Sequence, residues 1–390
     1  MKSYLLCAAL LLLPLQATAQ TPCGGTFPAF VADLKAEAIA TGTSPATAEA
    51  FFRTVRQDPA VLRADRSQGV FQIPFIDFAR RLISNDRLTK GRAKGQQYDA
   101  IFDRIEAEYG VDRGILLAFW AFETDFGGFQ GNFNTANALV TLAHDCRRPE
   151  LFRPQVLAAI KLFEQGGFDP ARTTGAWAGE IGMVQMLPKD ILENGVDADS
   201  DGQVSLKTSV PDALFSGAKM LQHLGWRANE PWLAEVTLPT NFDWSLTGLE
   251  VAKPAADWKA MGISPRNGPL ADDLTASILL PQGRGGPAFL AYPNFGVFFE
   301  WNQSFTYVLT AAYFATRLQG ASVFEAGNPE PGLNDGQMKR LQTRLQALGH
   351  DVGGIDGILG AGTRAAVRAE QARLGLPVDG WPTPTLLSQL

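Results

Sequence analysis

The chain has 390 residues, with 34 lysine and arginine residues against 40 aspartate and glutamate residues, a mild acidic excess of -6. It shows no basic stripe and no lysine/arginine cluster interleaved with aromatics, which argues against a nucleic acid as partner. The histidines, His144, His223 and His350, are too few and too scattered for a zinc site or a Ser/His/Asp arrangement.

Residues 1–19 combine Lys2, a Leu/Ala-rich stretch from Leu5 to Leu15, and the small-residue pattern Ala17-Thr18-Ala19, the signature of a secretory signal peptide. The apolar stretch falls short of the roughly 20 residues a membrane span needs, and nothing later supplies a transmembrane segment. The expected product is exported and soluble. Export leaves Cys23 and Cys146, and two thiols in an oxidising compartment usually pair, so a Cys23–Cys146 disulfide is expected, with two free thiols as the alternative. The remaining length suits two or three domains at roughly 150 residues each.

In chain order, helical patterning covers Phe27 to Thr41, then a helix to Arg56 opened by Ser44 as cap and Pro45 in the first turn, then Tyr98 to Tyr109. A fully apolar helix, Ile115-Leu-Leu-Ala-Phe-Trp-Ala-Phe122, ends on Glu123. Further helices are expected over Ala136–His144, Pro154–Glu164 and Pro211–Leu224. The period then changes. Short β-branched and aromatic runs at Glu235–Leu238, Ile278–Leu280, Ala288–Tyr292 and Val297–Trp301, separated by proline and glycine, read as a small antiparallel sheet inserted in a helical body. A helix from Phe305 to Leu318 closes that body. Residues 325–332 carry prolines and no periodicity and read as a linker. Beyond them, Met338–Leu348, Thr363–Leu374 and a short helix opened by Thr383-Pro384 form a module of three small helices.

Glu123 is the residue that stands out chemically. Phe119 and Trp120 lie four and three positions before it, so their rings share its helix face and shed water from it. Desolvation without a compensating cation raises a carboxyl pKa, which leaves a group able to donate a proton near neutrality. A helix-end glutamate turned to solvent is the alternative. Asp125, on a continuing helix, would point about 200° away, so a local role such as capping is expected of it. Gly283-Arg-Gly-Gly-Pro287 lacks a Lys-Ser/Thr pair and a following helix, and reads as a turn.

Four stretches occur together and in order: Glu123-Thr-Asp-Phe-Gly127, Asp145-Cys-Arg-Arg-Pro-Glu-Leu-Phe152, Ala176-Trp-Ala-Gly-Glu-Ile-Gly-Met-Val-Gln-Met-Leu-Pro188 and Phe299-Glu-Trp-Asn-Gln-Ser304. Jointly they resemble the lytic murein transglycosylases of the membrane-bound transglycosylase B type. The resemblance implies an α+β, mainly α fold: a lysozyme-like helical catalytic domain over residues 20–324, followed by the linker and a module over residues 333–390. It implies that Glu123 is the sole catalytic acid and base, that Gln185 and Asn302 hold the sugar N-acetyl and hydroxyl groups, and that Arg147 and Arg148 meet stem-peptide carboxylates, with plain surface charge as the alternative for the two arginines. Ala176 stands where many members have serine, and Trp301 where tyrosine is common, which keeps a stacking surface and changes its polar tip.

The implied reaction cleaves the β-1,4 bond after N-acetylmuramic acid without water, closing a 1,6-anhydro ring. No cofactor is required for it. The implied setting is periplasmic, with peptidoglycan glycan strands and stem peptides as substrate and a cell-wall synthesis or division machine as a further candidate partner. Two alternatives remain open: a hydrolytic muramidase and a non-catalytic wall-binding scaffold.

The loop Asp197-Ala-Asp-Ser-Asp-Gly-Gln-Val-Ser205 places carboxylates at positions 1, 3 and 5, Gly202 at 6, the Gln203 carbonyl at 7 and a hydroxyl at 9, as an EF-hand calcium loop requires. Position 12 is Thr208, and the resemblance implies a longer loop closed by a later carboxylate, Asp212. Structural calcium is expected, with an ion-free Asx-rich loop as the alternative. Leu341-Gln342, Leu348-Gly349, Ile355-Asp356-Gly357, Thr363-Arg364 and Asp379-Gly380 resemble a peptidoglycan-binding-domain-1 module, in which Leu341, Leu345, Ile355 and Val367 are expected to be core.

Overall fold

A computed structural model describes residues 21–67 and 73–390; the expected signal peptide lies outside the described residues. The first half is helical: α1 (Phe27–Ala40), α2 (Pro45–Phe52), α3 (Pro59–Asp65), α4 (Phe75–Leu82), α5 (Asn85–Gln97), α6 (Asp99–Tyr109) and α7 (Arg113–Thr124). A two-residue strand β1 (Phe133–Asn134) leads into α8 (Thr135–His144) and α9 (Pro149–Glu164), and pairs antiparallel with β2 (Thr174–Gly175). After α10 (Pro188–Asn194) and α11 (Val210–His223) come β3 (Leu233–Thr237), β4 (Ala252–Pro254), α12 (Ala255–Ala260), β5 (Ser264–Pro265), β6 (Thr275–Leu279) and β7 (Ala288–Ala291). These five strands form one antiparallel sheet in the order β4-β6-β7-β3-β5. The body closes with α13 (Pro293–Trp301) and α14 (Phe305–Leu318), and the C-terminal unit consists of α15 (Asp335–Ala347), α16 (Ala361–Arg373) and α17 (Pro384–Gln389). No helix among the described residues is long and apolar enough to cross a membrane.

Val297–Trp301, expected as a strand, is the second half of α13. Pro293 at the first turn pre-sets its backbone, and Asn294, Phe295, Val297 and Phe298 are all buried, at the three- and four-residue spacing of a helix face. Tertiary burial decides the state of this aromatic run over its composition.

Three cores result. The largest holds the helices around α7 and includes Phe119, Trp120, Phe298 and Phe314; a second packs one face of the sheet on Trp258; the third lies inside the C-terminal unit around Leu341, Leu345 and Val367. Ile355, expected in that last core, is exposed.

Residues 325–332 form neither helix nor strand, yet they are held down. Asn328 N donates to Gly285 O at 2.7 Å, and the Trp381 indole N–H donates to Glu330 O at 2.9 Å. The segment is a strap lying between two packed units, not a loose tether.

Candidate active site

The end of α7 carries the site. Asp112 caps the helix by accepting from Gly114 N at 2.6 Å, and the apolar run behind it is buried throughout most of its length. The chain then leaves the helix through Asp125 at φ 51°, with Phe126 N donating to Trp120 O at 3.0 Å. This places Glu123 on the last turn, half-buried, with one side open.

Two donors converge on one oxygen of Glu123. The Tyr307 hydroxyl donates to Oε1 at 2.5 Å and the Trp301 indole N–H donates to the same atom at 3.2 Å. Trp301 ends α13 and Tyr307 lies in the first turn of α14. Phe119 stacks on Trp301 with ring centroids 4.2 Å apart, and Phe122 meets Tyr307 edge-on. Phe119 therefore dries the site through Trp301, while Trp120 packs on Tyr98 and Phe126. Burial pushes the Glu123 carboxyl above the usual carboxylate range, and the two hydrogen bonds pull the other way without cancelling it. Burial, together with the adjacent Glu123 carboxyl, pushes the Tyr307 hydroxyl well above the ordinary phenol value, so it remains a neutral donor.

A second carboxyl shares the cleft, and sequence reasoning missed it. After β2 the chain turns back on itself: Ala176 N donates to Glu180 O at 2.9 Å, and Ile181 and Met186 bridge antiparallel. Gly175 is required here, because a Cβ on it would lie 1.9 Å from Glu180 O. Thr124 Oγ1, next to Glu123, donates to Met183 O at 2.7 Å and fastens this hairpin to α7. Burial is the largest influence pushing the Glu180 carboxyl up to about 7; repulsion from Glu123 adds to it, and its own backbone N–H and Arg148 oppose it. Its Oε2 is buried without a hydrogen-bond partner. The available signal was a lone acid in the otherwise apolar run Ala178-Gly-Glu-Ile-Gly-Met-Val184.

The other expected site residues fall as follows. Gln185 adopts a left-handed backbone, φ 54°, and its Nε2 donates to Gly182 O at 2.7 Å, which leaves its carboxamide oxygen for a ligand. Asn302 follows α13 and accepts from Ser304 N at 2.9 Å, which leaves its Nδ2 as a donor. Arg147 and Arg148 both bind the buried Asp65: Arg147 Nη1 donates to Oδ2 at 2.5 Å and to Asp65 O at 2.7 Å, and Arg148 Nη2 donates to Oδ1. Two guanidinium groups on one carboxylate leave one positive charge in excess beside the cleft. Cys23 and Cys146 form a disulfide next to this pair, and Gly24 N donates to His144 O at 2.9 Å beside it.

Asp125 turns away to Arg87 at 3.1 Å and Lys90 at 3.4 Å. Partial burial would raise its carboxyl pKa, but these two partners outweigh burial and hold it below the ordinary value. Asp125 thus secures the end of α7 to α5.

In the acidic loop, carboxylate oxygens of Asp197, Asp199 and Asp212 lie within 4.8 Å of one another. Asp212 is fully buried, accepting from Ala198 N at 2.9 Å and Ser205 N at 2.8 Å. Asp201 stands outside that cluster and accepts from Gln203 N; Gln203 and Asp201 are exposed, and Ser205 is half-buried. Among the described residues no lysine or arginine pairs with Asp197, Asp199 or Asp212. Three converging carboxylates without a protein cation fit a hard, oxygen-liking ion.

A helical body with a small sheet, and an acid held by an indole and a phenol in a cleft, define a lysozyme-like glycan-cleaving class. The chain belongs to the transglycosylase SLT domain family, whose model matches residues 26–316, and residues 334–390 match the peptidoglycan binding domain. Among solved structures it is similar to SltB3 from Pseudomonas aeruginosa, in complexes with NAG-NAM-pentapeptide and NAG-anhNAM-pentapeptide, at 38% identity, with 94% of this chain covered, 99% or more of that chain and a TM-score of 0.85. SltB1 from the same organism is 25% identical, with 75% of this chain and 99% of that chain covered and a TM-score of 0.65. Membrane-bound lytic murein transglycosylase B of Escherichia coli (strain K12) is 26% identical over 242 residues, 60% of this chain; the match spans 64% of that protein's length.

Proposed function

We propose that this protein is an exported peptidoglycan lytic transglycosylase that cleaves the β-1,4 bond between N-acetylmuramic acid and N-acetylglucosamine without water, with Glu123 as its acid and base. The observation that carries the reading is the state of Glu123: its pKa is raised by burial and Oε1 is fixed by Tyr307 and Trp301, so Oε2 is left to hold the proton and face the glycan. The Oε2 proton goes to the bridging oxygen as the C1–O bond breaks. The sugar's 2-acetamido oxygen stabilises the electron-poor C1, and Gln185 and Asn302 orient that group. The C6 hydroxyl then attacks C1, its proton passes to the Glu123 carboxylate, and the acid is regenerated. Intramolecular attack of this kind has an effective molarity of about 10⁵–10⁸ M, which outcompetes water. Tyr307 and Trp301 stabilise the carboxylate present between the two proton transfers.

The excess charge on Arg147 and Arg148 suits carboxylates of a stem peptide. Asp197, Asp199 and Asp212 would hold a structural calcium ion, with the Gln203 carbonyl and Ser205 completing its oxygen shell and Asp201 nearby; Escherichia coli Slt35, a fold neighbour, has been solved with calcium. The catalytic unit spans residues 20–324 and the wall-binding unit residues 333–390, in the periplasm after removal of residues 1–19.

Glu180 favours a second reading. A hydrolytic muramidase needs a second carboxyl to act as nucleophile or to activate water, and a group titrating at about 7 could take the latter part. Mass spectrometry of products from purified sacculi separates the two: 1,6-anhydro ends support the transglycosylase, and reducing ends the muramidase. Wall degradation that is unaltered in Glu123→Gln would point to neither.

A further inference from the structure

The side chains that hold Glu123 come from the two ends of one turn, Asn302–Ser304: Trp301 precedes it and Tyr307 follows it. Ser304 caps α14, accepting from Tyr307 N at 3.4 Å, so the position of the Tyr307 hydroxyl depends on where α14 begins. The first residue of α14 is Phe305, which is buried and meets Phe299 of α13 at a ring-centroid distance of 6.2 Å. Phe305 belongs to the main core, and the C-terminal unit adds to its cover. The guanidinium carbon of Arg364, on α16, lies 4.6 Å from the centroid of the Phe305 ring. Arg364 Nη2 donates to Pro281 O at 2.8 Å and Nη1 to Leu280 O at 3.4 Å, both just after β6.

A buried cation is a costly way to fill a joint. Arg364 is 8% exposed and its Nε has no partner. Burial, and then the nearby Arg368, lower its pKa to about 9, so it is still charged at neutral pH. A hydrophobic side chain would fill such a site at lower cost, whereas a guanidinium fixes direction through its fork of donors and its stacking on the ring. The surroundings are equally fixed: Trp381 is buried against Gly332, Arg284 N donates to Asp379 Oδ2 at 3.1 Å, and Arg368 pairs with Glu250 at 2.7 Å. The joint retains a cavity of about 170 Å³ lined by Phe75, Thr306, Met338, Arg364 and Trp381.

We propose that Arg364 is a positioning residue for catalysis: by clamping Phe305 against the loop after β6, the C-terminal unit sets the turn from which Trp301 and Tyr307 reach Glu123. The wall-binding module is then part of the catalytic frame as well as an anchor. This rests on the transglycosylase reading above.

The experiment compares wild type, Arg364→Ala, Arg364→Lys, Phe305→Leu, Tyr307→Phe, Arg364→Ala/Tyr307→Phe and Glu123→Gln. All are full-length and checked as folded by circular dichroism at the assay temperature. The substrate is a soluble, purified glycan tetrasaccharide, and binding to sacculi is measured in parallel. Arg364→Ala and Phe305→Leu should each lower kcat on the soluble substrate about 10- to 100-fold with little change in KM and in sacculus binding, because a displacement on the order of 1 Å at a site costs that much. Arg364→Lys should recover part of the rate. The double variant should lose less than the product of its single effects, since both act on the same donor.

A soluble-substrate kcat within twofold of wild type in Arg364→Ala, or fully multiplicative effects in the double variant, overturns the proposal. Should Arg364→Ala fail to fold, Phe305→Leu and the double variant Phe305→Leu/Tyr307→Phe carry the same two outcomes. A Glu123→Gln variant as active as wild type would instead bring down the reading on which this one rests.

Discussion

Replacing Tyr307 by phenylalanine removes one hydroxyl and leaves the ring packing against Phe122 in place. Of the two donors on Glu123 Oε1, Tyr307 at 2.5 Å is the closer, with Trp301 at 3.2 Å remaining behind. A hydrogen bond to a charged group contributes about 1.5–3 kcal/mol. At about 1.4 kcal/mol per pKa unit, its loss raises the Glu123 pKa by roughly one to two units, since the bond favours the carboxylate over the acid. The acid must be protonated to start the reaction, so the alkaline limb of kcat/KM moves to higher pH by that amount. At the same time kcat falls about tenfold or more, because the carboxylate formed after the first proton transfer loses its stabiliser. Initial rates of soluble product release from sacculi between about pH 5 and 9 measure both. A limb that stays in place, or moves to lower pH, refutes the claim that Tyr307 holds Glu123 in its charged form.

Further outcomes follow from the same structure. Glu180 ionises at about 7 in the folded protein and near 4.3 unfolded, so the folded state loses stability as pH rises between those values; Glu180→Gln should raise the melting temperature at pH 8, show no gain below about pH 4, and leave the products in the anhydro form. A lower melting temperature at pH 8, or disappearance of a reducing-end product, would contradict this. Cys23 and Cys146 are 123 positions apart, and on the chain-entropy account Cys23→Ser/Cys146→Ser should cost about 5 kcal/mol, read as a lower midpoint in urea with a steeper slope, because the released denatured chain expands and exposes more surface. An unchanged midpoint would deny the crosslink a stabilising role. Calcium should bind with measurable heat and raise the melting temperature, and Asp212→Asn should abolish both; no heat in wild type and no effect of chelator would exclude the ion.

Much of the helical body was legible because its signals are local. The unbroken apolar run from Ile115 to Phe122 and the abrupt Glu123-Thr-Asp-Phe-Gly127 stop mark α7 from neighbouring residues alone. The five-stranded sheet was half legible: β3, β6 and β7 are rich in apolar residues, whereas β4 and β5 are short edge strands with Pro254 and Pro265 and resemble loop. The helices α4 and α5 were missed for different reasons: α4 has a clear apolar face, Phe75, Ile76, Phe78 and Ala79, but is only eight residues long, whereas α5 is polar along most of its length and buries Leu88 with two glycines, Gly91 and Gly95.

At the site, local signals gave the acid and could not give its partners. Tyr307 lies 184 positions from Glu123 in sequence, and nothing in Phe305-Thr-Tyr-Val-Leu309 marks that hydroxyl as pointing at a carboxyl. For Trp301 the sequence indicated a stacking surface with an altered polar tip; in the structure Phe119 covers one face of the ring and the N–H donates to Glu123. The strap at residues 325–332 has linker composition, and its fixation by Gly285 and Trp381 is purely a matter of long-range contact.

The most direct test is the product profile of the protein without residues 1–19 on purified sacculi, by mass spectrometry, for wild type and Glu123→Gln. The account predicts muropeptides one water lighter than their reducing-end counterparts from wild type, and none from the variant. Reducing-end products from wild type, or undiminished release by Glu123→Gln, would contradict it.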